Sequence, residues 1–175
     1  IGPGLAKAAI AAKVDGKLTD LTTPISGHCS LELVTMKDSA GLEVLRHTAA
    51  HVMAEAIKAI WPAAKLVYGP TVQDGFYYDI DLDTPLRPED FEKIESQMAQ
   101  IVKADKAIAR IEMSRSDALK HVAGDIYKTD NINRAQGDTI SFYTHGDSDF
   151  EDLCRGPHLP STGRLGAFKI MSVAG

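Results

Sequence analysis

The stretch Asp38-Ser39-Ala40-Gly41-Leu42-Glu43-Val44-Leu45-Arg46-His47-Thr48-Ala49-Ala50-His51-Val52 decides how the rest of the sequence is read. It opens on a helix-start signal, a capping Asp or Ser followed by Glu in the first turn. Apolar residues at Leu45, Ala49, Val52, Ala56 and Ile60 keep helical spacing as far as Trp61, where Pro62 stops it. The pattern predicts a helix over 38–61. On its N-terminal side, Leu5 to Ile10 reads as a short helical run. Ala12 to Leu18 reads as two extended pieces joined at an Asp15-Gly16 turn, and Leu31 to Thr35 alternates like a strand. On its C-terminal side, Lys65 to Tyr68 and Phe76 to Ile80 are strand candidates around a Gly69-Pro70 and Asp74-Gly75 loop. Pro88 starts a second helix through Phe91, Ile94, Met98, Ile101 and Val102. Ile108 to Met113 reads as a strand and Ser114 to Val122 as a helix. From Asp125 onward the pattern is short strands and turns, with extended runs at 139–143, 150–153 and 167–173. The fold class is α+β, with antiparallel strands and segregated helices.

Composition narrows the function. The 175 residues are 44% hydrophobic and 25% charged, ordinary for a globular chain. A net charge of -5 excludes a polybasic nucleic-acid binder, because such proteins neutralise many phosphates with Lys and Arg. It leaves open a protein that holds one end of a nucleic acid with a few placed cations. Two cysteines, Cys29 and Cys154, are too few for a disulfide scaffold and fit a reducing, cytoplasmic setting. No apolar run has the length of a membrane span. A chain that begins with Ile and ends on Ala-Gly reads as a piece of a longer protein, and the thin pattern of residues 1–40 reads as a unit whose first strand lies upstream.

The chemistry concentrates in two short motifs. His47 and His51 stand at i and i+4, so both rings lie on one helical face and can address a single metal, water or substrate oxygen. Cys154-Arg155-Gly156-Pro157-His158 places a thiol and an imidazole around a Gly-Pro turn, again able to converge on one point. Each pair alone occurs by chance; together they are informative. Asp79, Asp81 and Asp83 imitate the start of an EF-hand loop. The required Gly and Glu are absent, with Thr84 and Asp90 in those places.

The His47/His51 pair, Gly69-Pro70 with Gly75-Phe76-Tyr77-Tyr78-Asp79, Tyr127-Lys128, and Asp152-Leu153-Cys154-Arg155-Gly156-Pro157-His158 together resemble the editing domain of bacterial threonyl-tRNA synthetases. The resemblance covers 41–175, the second additional domain shared by threonyl- and alanyl-tRNA synthetases. Residues 1–40 resemble the end of a ubiquitin-like β-grasp (TGS-like) domain. The resemblance implies hydrolysis of the ester in seryl-tRNA(Thr), and it implies site residues. His47 and His51 would position a water or the terminal ribose, Lys128 would stabilise the oxyanion, and Asp152 would hold the α-ammonium. His158 would move a proton or bind the 2′-hydroxyl, and Cys154 would shape the wall. Tyr78, Gly69 and Pro70 would receive the terminal adenosine. It implies no cofactor for editing, with ATP and zinc confined to the absent catalytic domain. The implied partners are the 3′ end of tRNA(Thr) with its seryl-adenosine moiety, and the remainder of a homodimeric synthetase.

Three rivals stand beside this reading. His47, His51, Cys154 and His158 would make a tetrahedral zinc site of three nitrogens and one sulfur, the pattern that alanyl-type editing domains use. Lys128 favours the metal-free version, because a cation near the ester duplicates part of a metal's role. Cys154 with His51 or His158 would make a thiolate–imidazolium nucleophile. A non-catalytic RNA-binding module is the third. Outside these motifs, His28 reads as surface loop, His121 as the partner of Asp117 on a solvated helix face, and His145 as part of a polar turn.

Overall fold

A computed structural model describes residues 2–174; Ile1 and Gly175, the outer bounds of the two expected segments, lie outside the described residues. Helix α1 (Pro3–Ala8) is followed by strands β1 (Ala9–Val14), β2 (Lys17–Thr19) and β3 (Leu31–Thr35). They form an antiparallel sheet in the order β2-β1-β3. The β1–β2 turn is made by Asp15 and Gly16, both at positive φ (50° and 80°), the conformation that a two-residue hairpin turn needs. Helix α1 ends two residues earlier than the sequence pattern implied, because Ala9 and Ile10 already belong to strand β1 and are buried.

Helix α2 (Ser39–Ile60) crosses directly onto this sheet. A Cβ on Gly41 would stand 2.0 Å from the Thr35 carbonyl oxygen, so only glycine lets α2 start so close to β3. Two small ribbons follow, β4 (Lys65–Tyr68) paired with β7 (Asp79–Asp81) and β5 (Thr71–Val72) paired with β6 (Gly75–Phe76). The expected strand over 76–80 is thus split at Tyr77-Tyr78, where the β4–β7 register shifts between Leu66 and Tyr68. Helix α3 (Phe91–Ala104) packs on α2. Strand β8 (Ile108–Ser114), helix α4 (Arg115–His121), helix α5 (Ile126–Arg134), strand β9 (Thr139–His145) and strand β10 (Glu151–Leu153) follow. Their sheet runs β10-β9-β8, antiparallel throughout. The architecture is mixed α+β.

Two expectations change here. Residues 126–134 are helical rather than strands and turns: the Asp125 carboxylate caps them by accepting from the Tyr127 and Lys128 N–H groups. The apolar stripe is too thin to show in sequence, since Ile132 is the helix's one buried residue. Residues 167–173 alternate like a strand but have no ladder partner. Instead the Ile170 N–H donates to Glu95, and Phe168 and Ile170 pack on the core.

The main core runs through both expected segments. Ile10 and Val34 of the first sheet meet Val44, Val52 and Ile57 of α2, Ile94 and Met98 of α3, and Leu159 and Leu165 near the C-terminus. A second cluster, with Ala118, Val122, Ile132, Ile140 and Phe142, seats α4 and α5 on the second sheet. No helix among the described residues is long and apolar enough to cross a membrane.

Candidate active site

Beside α2 the loop that follows β10 brings its side chains against the helix. His47 and His51 project from consecutive turns with ring centroids 5.4 Å apart, and His158 lies 4.2 Å from each, closing a triangle. The Cys154 sulfur stands 3.0 Å from His47 Nε2 and 3.3 Å from His158 Nε2. The ligand atoms of His47, His51, Cys154 and His158 all lie within 4.8 Å of one another. Thr48, between the two helix histidines, anchors the loop: its Oγ1 accepts from the Leu159 N–H at 3.0 Å and is 3.1 Å from His158 Nδ1.

Asp152 stands next to this cluster, 4% exposed. Its carboxylate accepts from the Tyr78 hydroxyl, lies 3.3 Å from Lys128 Nζ and 3.8 Å from His51 Nε2, and accepts from the Leu153 N–H. Lys128 also donates to the Glu151 carbonyl at 3.0 Å, so its ammonium is held at the cleft wall by two oxygens. Helix α5 makes this possible, and it is the element that sequence patterning missed. Tyr78 is set by Gly69: a Cβ there would lie 2.3 Å from the Tyr78 ring, so glycine lets the backbone lie flat on it.

Together these groups line a cleft of about 550 Å³, including His47, His51, Gly69, Pro70, Tyr78, Lys128, Asp152 and Cys154. His158 is 2% exposed and lies in the floor, touching the cleft through Cys154. The structure therefore brings all nine sequence-chosen residues to one place, eight on the wall and one beneath it. His121 is not paired with Asp117. It lies 2.6 Å from Glu151 and edge-on to Phe142, while Asp117 bonds Ser114 and Lys120.

Burial sets the protonation states. His51 and His158 are pushed well below the usual histidine range, by desolvation first and then by the neighbouring imidazoles. His47 is lowered mainly by burial, with its hydrogen bond to the Pro157 carbonyl and the Asp152 charge pulling the other way. These rings are neutral at physiological pH, and neutral imidazoles accept protons. Burial pushes the Cys154 thiol up to about 12, so the sulfur stays protonated and is a poor nucleophile. The Tyr78 hydroxyl is raised by burial and by Asp152, and remains a donor.

The three nitrogens and one sulfur also suit a zinc ion in donor type and in proximity. Thr48 behind His158, and the Pro157 carbonyl behind His47, would orient those ligands. The residues fit the metal.

Sequence reasoning missed a further buried pair. His145, fully buried at the end of β9, lies 2.6 Å from Glu55 of α2, and its ring is 6.3 Å from that of His51. The signal was present only as Glu55 one turn after His51, with nothing to tie it to a residue ninety positions away.

Two protein families match separate stretches of the chain. Residues 1–35 match the TGS domain family, and residues 140–175 match the threonyl and alanyl tRNA synthetase second additional domain. Among curated proteins, the threonine–tRNA ligase of Symbiobacterium thermophilum is 53% identical across all of this chain, which spans 27% of that relative. Those of Pelobacter propionicus and Burkholderia cenocepacia are 49% and 47% identical, again over all of this chain and 28% of theirs. The chain thus spans little more than a quarter of the length of the relatives it matches.

Proposed function

Because the chain is homologous from end to end to part of the threonine–tRNA ligases, we propose that it carries their proofreading site and hydrolyses the ester of seryl-tRNA(Thr). The observation that carries the reading is the Lys128–Asp152–Tyr78 group beside the His47/His51/His158 triangle, all on one cleft. We divide the chain into a β-grasp segment, 1–40, and an editing domain, 41–175. The rest of a dimeric synthetase would deliver the tRNA 3′ end.

The need for a second site is physical. Threonine and serine differ by one methyl, and an apolar pocket discriminates a missing methylene by only about 1–3 kcal/mol. Hydrolysis needs a placed water, a countercharge for the tetrahedral oxyanion, and a proton for the departing ribose oxygen. Neutral His47 and His51 orient the water, accept its proton and return it to the departing ribose oxygen as the ester C–O bond breaks. Lys128 faces the developing oxyanion. Asp152, an acceptor already facing the Lys128 ammonium, takes the α-ammonium of the aminoacyl group. His158 supports Cys154 and His47 from the floor, and as a buried ring it acts on the substrate through them. Tyr78, held by Gly69 and beside Pro70, offers its ring to the terminal adenosine. Cys154 narrows the wall where threonine's methyl would sit.

The test replaces His47, Lys128, Asp152 and His158 singly by Ala and measures deacylation of seryl- and threonyl-tRNA. Large losses on seryl-tRNA, with little wild-type action on threonyl-tRNA, are expected; four unchanged rates would overturn the reading. The donor set of three imidazole nitrogens and one sulfur favours one second reading, a zinc-dependent deacylase of the alanyl type. A bound zinc would polarise the ester and lower the pKa of a bound water. Activity that vanishes on chelation and returns with Zn²⁺ would establish it.

A further inference from the structure

The first segment sends one side chain beneath the site, and no motif marks it. Asp20 follows β2 in a turn closed by the Thr23 N–H on the Asp20 carbonyl, and it is 8% exposed. Its two oxygens act in different places under the loop 154–158. Oδ1 accepts from the His158 backbone N–H at 2.9 Å, and Oδ2 accepts from the Tyr143 hydroxyl at 2.6 Å. Tyr143 lies edge-on to the His158 ring at 4.5 Å. Its hydroxyl stands 1.9 Å from where a Cβ on Gly156 would be, and Gly156 has a φ of +67°, so the loop is shaped around that oxygen. Arg110 straps the same point from β8, its Nη1 3.3 Å from the Tyr143 hydroxyl and 3.0 Å from the Arg155 carbonyl.

We propose that Asp20 is a positioning residue of the hydrolytic site, holding the His158 backbone and the Tyr143 ring so that His158 and Cys154 keep their places at the cleft. The N-terminal segment is then a working part of the site rather than a neighbouring module. The proposal rests on the hydrolytic reading above and extends it across the two segments. A buried side chain with one polar atom on the loop backbone and the other on the Tyr143 hydroxyl is suited to this task, because it fixes the loop and the ring at once. A displacement of the catalytic groups by about 1 Å is enough to cost about a hundredfold in rate.

The experiment compares D20A, D20N and Y143F in the 175-residue chain. It measures kcat and KM for seryl-tRNA(Thr), thermal melting, and the histidine-ring resonances in ¹⁵N-labelled protein. D20A is expected to lower kcat about ten- to a hundredfold with KM within about threefold, and to move the His158 ring signals. D20N should restore most of the rate and the wild-type signals, since its amide still accepts from the His158 N–H and can donate to the Tyr143 oxygen. D20A with wild-type kcat, or D20N as impaired as D20A, overturns the proposal. If D20A does not fold, Y143F decides: a kcat several-fold lower at an unchanged melting temperature supports it, and an unchanged kcat overturns it. Should the wild type fail to hydrolyse seryl-tRNA, the functional reading falls. The positioning role is then settled by the His158 signals alone, sustained if they move in D20A and overturned if they do not.

Discussion

Helix α2 turns two unlike faces inward. One carries Ala49, Val52, Ala56 and Ile57 into an apolar layer with Ile10, Val34, Ile94 and Met98. The other carries His47, Thr48, His51 and Glu55 against Cys154, His158, Asp152 and His145. Both are buried, yet they differ in what burial does. On the first face, removing apolar area from water stabilises the fold at roughly 25 cal/mol per Å². On the second, burial works against charge: it suppresses protonation of three imidazoles and leaves His51 Nδ1 and His145 Nε2 without hydrogen-bond partners among the described residues. A polar layer of this kind is poor cement. Its retention in the middle of the fold is what a functional site looks like, where local rules of stability are broken and offset elsewhere.

Substitutions should therefore separate activity from stability according to face. The largest effect is expected on the polar face: His47→Ala should slow deacylation of seryl-tRNA by about a hundredfold or more, the usual range for removing an acid–base group. Its melting temperature should stay closer to wild type than that of any apolar-face variant. A wild-type rate in single-turnover assays would break the comparison at its centre. Next comes Ile57→Ala, at a side chain 1% exposed, which should cost about 2–5 kcal/mol in urea unfolding. The rate per folded molecule should be unchanged; a rate loss as large as that of His47→Ala would show that the faces are not separable.

A smaller effect comes from pH. The three clustered histidines have folded pKa values below their ordinary 6.5, so below that pH the unfolded chain binds more protons than the folded one. Stability then rises with pH. Their contribution is fully present above about pH 7 and is lost as pH falls below 6.5 toward the folded values. Chelator-treated protein should melt at a lower temperature at about pH 5.5 than at about pH 7.5, and His158→Gln should flatten that dependence. A flat profile in the wild type would mean that the cluster is not held neutral. The smallest effect belongs to the sulfur: Cys154→Ser should keep the rate within about threefold, because a thiol raised to about 12 supplies little thiolate at neutral pH. A loss of several hundredfold would restore the nucleophile reading.

How far the sequence reached depends on the range of each interaction. Helix α2 was legible because its cap, its period and its Pro62 stop are all local. So were β1 and β2, since Asp15-Gly16 has the backbone freedom that the turn demands. Helix α5 was not legible, because Asn131, Asn133, Thr129 and Asp130 carry no apolar period; the Asp125 cap was its one local sign. Residues 167–173 misled because alternation tests for a face and not for a pairing partner. His145 was read as turn although it is the inward end of β9, for the burial comes from Glu55 and Phe150, which are distant or irregular in sequence. Tyr143 and Asp20 showed nothing, since their meaning lies in one oxygen shared across 123 positions.

By itself the sequence determined which chemistry was available: two imidazoles on one helical face, a thiol and an imidazole about a Gly-Pro turn, a lysine, an aspartate and a tyrosine. Spacing along the chain is enough for the two pairs, because a helix or a tight turn places neighbours within a few ångströms without help; Lys128, Asp152 and Tyr78 were marked by the family resemblance and not by spacing. Only the tertiary structure decided that these groups share one cleft, that the imidazoles are neutral and the thiol protonated, and that Asp20 of the first segment holds the loop beneath them. Those properties depend on desolvation and on contacts between residues a hundred or more positions apart. Neither exists until the chain has closed on itself.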